Sequence, residues 1–190
     1  MDISNVFSLV VLGLAFGAQV FLRSFCVRHI KKIFYFSVAG IFGIVSYWTY
    51  LQHKAWAHDP FGKHFLPPDQ PISYFISYVG TRFFGSWLLA LAAAMIIPYL
   101  AKLLNRRYGE RFFENEEIPL MGLGIFLTGW PGFLFYIPLV LIVGVLYSLF
   151  SILHSKERAP LYFLWLPLAI CAILAIHIFI SQEVLRVFIL

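Results

Sequence analysis

Glu116 and Glu117 are the residues whose type and place point most directly to chemistry. They end a charged approach, Arg111-Phe112-Phe113-Glu114-Asn115-Glu116-Glu117, and the chain from Ile118 to Leu153 carries no charged side chain. A carboxyl at the mouth of an apolar stretch resists ionisation, and one with a raised pKa can act on water or on a substrate proton. The same pair also reads as an ordinary helix start. Asn115 is a good N-cap, acidic residues suit a first turn, and Pro119 suits an early helical position. On that second reading Glu117 faces water, with Arg106, Arg107 and Arg111 at hand as counter-ions.

His53, His58, Asp59 and His64 form another candidate group, three of the six histidines within a short stretch. Imidazole and carboxylate are suitable zinc ligands, but these spacings match no defined metal motif. The alternative is an aromatic, histidine-bearing loop at a membrane surface. His177 lies deep in an apolar run and is expected either to be neutral and bonded to a carbonyl or to relay a proton. No P-loop, dinucleotide fingerprint, C-x-x-C, H-E-x-x-H or serine elbow occurs, so no cofactor is expected.

These residues stand in a chain that cannot build a water-soluble surface. Of 190 residues 61% are hydrophobic and 12% charged, against about 25% charged in soluble domains. The expected fold class is all-α, a polytopic membrane helix bundle of about six transmembrane helices forming one integral membrane domain over 1–190. The formal charge of +5 does not point to nucleic acid, because the basic residues cluster in short segments between apolar runs. The expected partners are the lipid bilayer and other membrane-protein subunits.

The apolar runs predict spans at 5–22, 33–51, 83–104, 133–153 and 161–181, with the first retained rather than removed as a signal peptide. The basic stretch 23–32 is expected to be a loop, and 52–72, with four prolines, a broken polar connection. Gly40 and Gly43, with Ser37 and Ala39, offer a surface for close helix approach. Residues 118–128 are too few for a full ~30 Å crossing; the favoured expectation is a spanning helix begun upstream, the alternative a re-entrant hairpin turning at Gly129-Trp130-Pro131-Gly132. With six spans, the segments 23–32, 102–117 and 154–158 share one side. They hold Arg23, Arg28, Lys31, Lys32, Lys102, Arg106, Arg107, Arg111, Lys156 and Arg158, ten of the fourteen basic residues. The positive-inside rule places that side in the cytoplasm and both termini outside, in a bacterial-type inner membrane. Cys26 and Cys171, at different depths, are expected to stay unpaired.

From Glu117 onward the order of features resembles the membrane domain of type IV prepilin peptidases. In that family a G-x-G-D motif opens a helix, a Gly-Trp turn follows about a dozen residues later, and a late helix has an early proline. Gly129-Trp130-Pro131-Gly132 matches the turn, Gly144 a glycine of the next helix, and Pro160 to Leu168 the final helix entry. The resemblance places Glu117 at the motif aspartate and Cys26 near the family's other aspartate. Both motif glycines and both aspartates are absent, so the implication is a degenerate bundle without aspartyl protease activity, acting through partner binding or assembly. A second resemblance, to glutamate proteases of the CAAX type, implies an intramembrane hydrolase using Glu117 with Glu116 or His154. Phe150-Ser151-Ile152-Leu153-His154 fits that family's F-x-x-x-H pattern, but Met121 stands where its arginine belongs.

Overall fold

The computed structural model describes residues 2–109, 113–155 and 161–179. They form helices and connecting turns, with no strand among them. Helix α1, Ile3–Phe21, begins at Asp2, whose Oδ1 accepts the Ile3 N–H at 2.7 Å. Only Leu22 separates it from α2, Arg23–His58. The expected basic loop at 23–32 is therefore the first part of a helix. Nothing in that stretch opposes helix formation: it has no glycine or proline, and arginine and lysine are good helix formers. Charge reports which residues prefer water, not whether the backbone is coiled. At 36 residues α2 is about 54 Å long, well beyond a ~30 Å hydrocarbon core. It stops at Asp59, just before Pro60, and a 3-10 turn follows at Gly62–Phe65.

Helix α3, Ile72–Val79, a π-helical segment, Gly80–Gly85, and α4, Ser86–Arg107, follow without a break. Together they form a single rod, Ile72–Arg107. Helix α5 is Glu117–Thr128 and α6 is Gly132–Ser155. A 3-10 turn at Leu161–Phe163 leads into α7, Trp165–Phe179. Counting the rod as one helix, five helices are long and apolar enough to cross a membrane, and α5 is not among them.

That short helix is the centre of the molecule. Ten of its 12 residues are buried, and α1, α2, α4, α6 and α7 all pack against it. The surrounding helices instead expose large apolar side chains, among them Leu14, Met95, Ile142 and Leu146. Small residues let α5 sit so deep. Gly122 lies against the backbone of Ala94 and the ring of Pro98 on α4. Gly124 leaves room for Tyr136, whose buried hydroxyl donates to the Trp165 carbonyl at 3.0 Å. A methyl group at Gly124 would overlap the Tyr136 ring and hydroxyl. At the far end Gly129 has a positive φ of 65°, which disfavours a side chain, and a Cβ there would also press on Trp87 at 3.3 Å. The Gly-Trp-Pro-Gly stretch thus turns the chain from α5 into α6, as expected.

Contacts at each end give the threading. One end gathers the α1–α2 turn, residues 113–117 and the start of α7. Gln19 Nε2 donates to the Tyr162 carbonyl, and Asn105 bonds both the N–H and the carbonyl of Phe113. The opposite end gathers Asp2, Trp48, Arg82 and Trp87 around one cavity, with Gly129 against Trp87. Gly40 of α2 lies under the Phe7 ring of α1, so this part of the small-residue surface takes a neighbouring helix, whereas a Cβ at Gly43 would touch nothing. Past the bundle, the end of α2 and α3 form a hairpin with its own small core of Leu66, Phe75 and Val79, flanked by Trp56.

Candidate functional site

Glu117 is 2% exposed. The expectation of a solvated helix start capped by Asn115 is corrected by the local backbone. The N-cap is Glu116, itself in helical conformation (φ −76°, ψ −24°), and no side chain caps the helix. A turn precedes it, in which the Glu117 N–H donates to the Glu114 carbonyl at 3.0 Å. That turn folds the Glu117 side chain inward, towards the start of α7.

Its carboxyl sits ahead of the uncharged run, outside the five long helices. Burial pushes its pKa from the ordinary value up to about 7, against the opposing pull of the Glu114 N–H. The Glu114 carboxylate raises it further, while the N–H groups of Leu161 and Tyr162 favour the charged form. Even so, Glu117 Oε2 makes no hydrogen bond. Glu116, the second carboxylate of the pair, points the other way. It accepts from Arg23 at 3.1 Å, and Arg23 also approaches Glu114 at 3.9 Å. The counter-ion therefore comes from the start of α2, not from Arg106 or Arg107; Arg111 lies outside the described residues. Both ion pairs are half-exposed, so each is worth at most about 1 kcal/mol. Arg23 also stacks over the Tyr162 ring, 4.8 Å from its centroid. The side chain of His154 lies outside the described residues.

Sequence reasoning missed the other polar groups at this end. Gln19 and Tyr162 are buried, and the Gln19 Oε1 and Trp165 Nε1 have no hydrogen-bond partner. With Glu117 Oε2 they make a concentration of unsatisfied polar atoms of the sort that calls for an explanation. One signal existed: Gln19 is an amide deep in the apolar run of α1, well beyond Asn5 at its start. Cys26, fully buried, interacts with Tyr162 through its thiol, and its Sγ is 4.0 Å from the Ala15 carbonyl. Tyr162 therefore touches both Cys26 and Glu117, the former by its side chain and the latter by its backbone. One turn along α5 from Glu117, Met121 lines an apolar cavity of about 240 Å³, with Ile125, Phe113, Ile137 and Trp165.

The proposed metal ligands are not brought together. His53 meets the Phe75 ring edge-on, His58 Nδ1 bonds the Lys54 carbonyl at 2.8 Å, and Asp59 accepts the Gly62 N–H at 2.6 Å. His64 pairs with Asp69 instead. The cause is the continuation of α2 to His58: His53 and His58 sit on a helix, while His64 belongs to the turn beyond it. Among the described residues no three His, Cys, Asp or Glu side chains are grouped to hold a metal. His177 is exposed on α7, and both cysteines are free thiols. The sequence matches no family model, and neither curated proteins nor solved structures give a match, so these comparisons do not connect the chain to prepilin peptidases or to any other family.

Proposed function

We propose that the chain is an integral membrane protein that binds a membrane partner or takes part in assembly, as a prepilin-peptidase-like bundle without aspartyl protease activity. The carrying observation is the meeting of Cys26 and Glu117 at Tyr162. The resemblance places Glu117 at one of the family's aspartates and Cys26 near the other, and only one of the two is a carboxyl. An aspartyl mechanism needs two close carboxyl groups, one protonated and one ionised. Here the second position is a thiol. The nearby acids Glu114 and Glu116 are turned outward to Arg23.

Five long apolar helices and their exposed apolar faces support insertion in a bilayer. The ten-to-four split of basic residues supports a cytoplasmic location for the end bearing Glu117 and outside termini, in a bacterial-type inner membrane. Glu117 then lies at headgroup level. The exposed apolar helix faces support another membrane-protein subunit as the partner. A second reading has one observation in its favour: a carboxyl held near neutrality suits a general base, which favours a membrane hydrolase acting through Glu117.

Two measurements on native membranes separate these readings. Blue native electrophoresis should show the 21.9 kDa chain in a larger assembly. N-terminal peptide profiling should show the same membrane-protein termini in wild type and E117Q. A monomer on the gel contradicts the binding reading. A cleavage product that disappears in E117Q establishes the hydrolase instead.

A further inference from the structure

The end of the bundle remote from Glu117 holds a cavity of about 290 Å³ that the partner-binding reading does not use. Its wall includes Asp2, the N-cap of α1, with Ser4 of α1, Trp48 of α2, Arg82 of the π-helical segment, and Ser86 and Trp87 of α4. Asp2 and Arg82 share this wall yet form no ion pair with one another among the described residues. Asp2 Oδ1 receives the Ile3 N–H. The Trp48 indole N–H, buried beside the cavity, has no acceptor. Arg82 lies in the π-helical segment and shares the wall with Ser86 and Trp87, four and five residues on. A π turn widens the repeat beyond that of an α-helix, and such segments recur at functional sites.

The chemistry asks for a ligand carrying both charges. Arg82, an indole N–H and serine hydroxyls are phosphate-binding groups, and the guanidinium can engage two phosphate oxygens at once. Asp2 would repel a purely anionic ligand but accepts hydrogen bonds from a primary ammonium group. A quaternary ammonium has no N–H to give it. The depth fits a headgroup: Arg82 is the last charge before the uncharged run from Phe83 to Ala101, and Trp48 belongs to the aromatic band Tyr47-Trp48-Thr49-Tyr50.

We infer that this cavity binds a phosphoethanolamine unit, with its phosphate on Arg82 and Trp48 and its ammonium on Asp2. The unit can arrive on a phospholipid or on a water-soluble glycerophosphoester. Only the lipid source rests on the membrane reading.

Native mass spectrometry of the purified full chain in detergent tests this with dioleoyl phosphatidylethanolamine, its phosphatidylglycerol and phosphatidylcholine counterparts, and soluble glycerophosphoethanolamine. The ethanolamine lipid should be retained in preference to the other two. R82Q should weaken its binding about tenfold or more, the scale of a lost charge-assisted hydrogen bond. D2N should abolish the preference over phosphatidylglycerol while leaving phosphate binding, and W48F, which removes only an N–H, should weaken binding less than R82Q. Competition by glycerophosphoethanolamine identifies a headgroup site open to the soluble source; no competition, with the charge dependence intact, identifies the lipid. Equal retention of all three lipids, or an ethanolamine preference unchanged in D2N, overturns the proposal.

Discussion

Glu117 shows what one residue's surroundings do to its chemistry. Its type and its place at a polarity boundary were legible in the sequence; its burial was not. The carboxyl meets Leu161 and Tyr162 of the 3-10 turn before α7 by way of the inward turn from Glu114, and no local pattern announces a contact across so many residues. The consequence is a defined pH dependence. In the unfolded chain the carboxyl titrates near its ordinary value, and in the folded protein near 7. The folded state therefore binds the proton more tightly. Stability is highest below the unfolded pKa, falls as pH rises between the two values, and levels off above about 7. The full effect is bounded at roughly 3–4 kcal/mol, from about 1.4 kcal/mol for each pH unit of difference. Denaturation of wild type and E117Q in detergent across this window should show the decline in wild type and its loss in the variant. Parallel curves would mean that Glu117 is solvated.

At the scale of elements, α5 depends on its glycines. The turn at Gly129 to Gly132 and most apolar runs could be read directly, because glycine, proline and hydropathy act locally. The helical state of 23–32 could not, because charge marks which residues prefer water and does not report whether the backbone is coiled. The central place of α5 was also hidden: its 12 residues look too short to matter by length alone. Gly124 makes the closest demand, since it leaves the space that Tyr136 fills. G124A should destabilise the protein by roughly 1–3 kcal/mol, the usual range for overpacking. Y136F, which loses the hydrogen bond to the Trp165 carbonyl, should cost about 1 kcal/mol. The double variant should cost less than the sum, because removing the hydroxyl relieves part of the overlap. Thermal unfolding of the three variants checks this, and strict additivity would show that Gly124 and Tyr136 do not share that space.

At the scale of the whole molecule, the order of helices was readable from composition, since long apolar runs mark where they lie. The way five long helices enclose a sixth was not, because every helix in the chain is apolar and hydropathy cannot rank one apolar face above another. α1, α2, α4, α6 and α7 surround α5, and short or irregular backbone is tolerated in a bilayer where protein encloses it in this way. The central claim is that the bundle crosses the bilayer with α5 enclosed, the Glu117 end on one side and the hairpin beyond α2 on the other. Single cysteines introduced at Asn115, Lys63 and Thr128, on a background of C26S and C171S, test it with a membrane-impermeant maleimide applied to sealed vesicles of each orientation. The account predicts that position 115 reacts from one face only, position 63 from the opposite face only, and buried position 128 from neither. Reaction of positions 115 and 63 from the same face, or ready labelling of position 128, would contradict it.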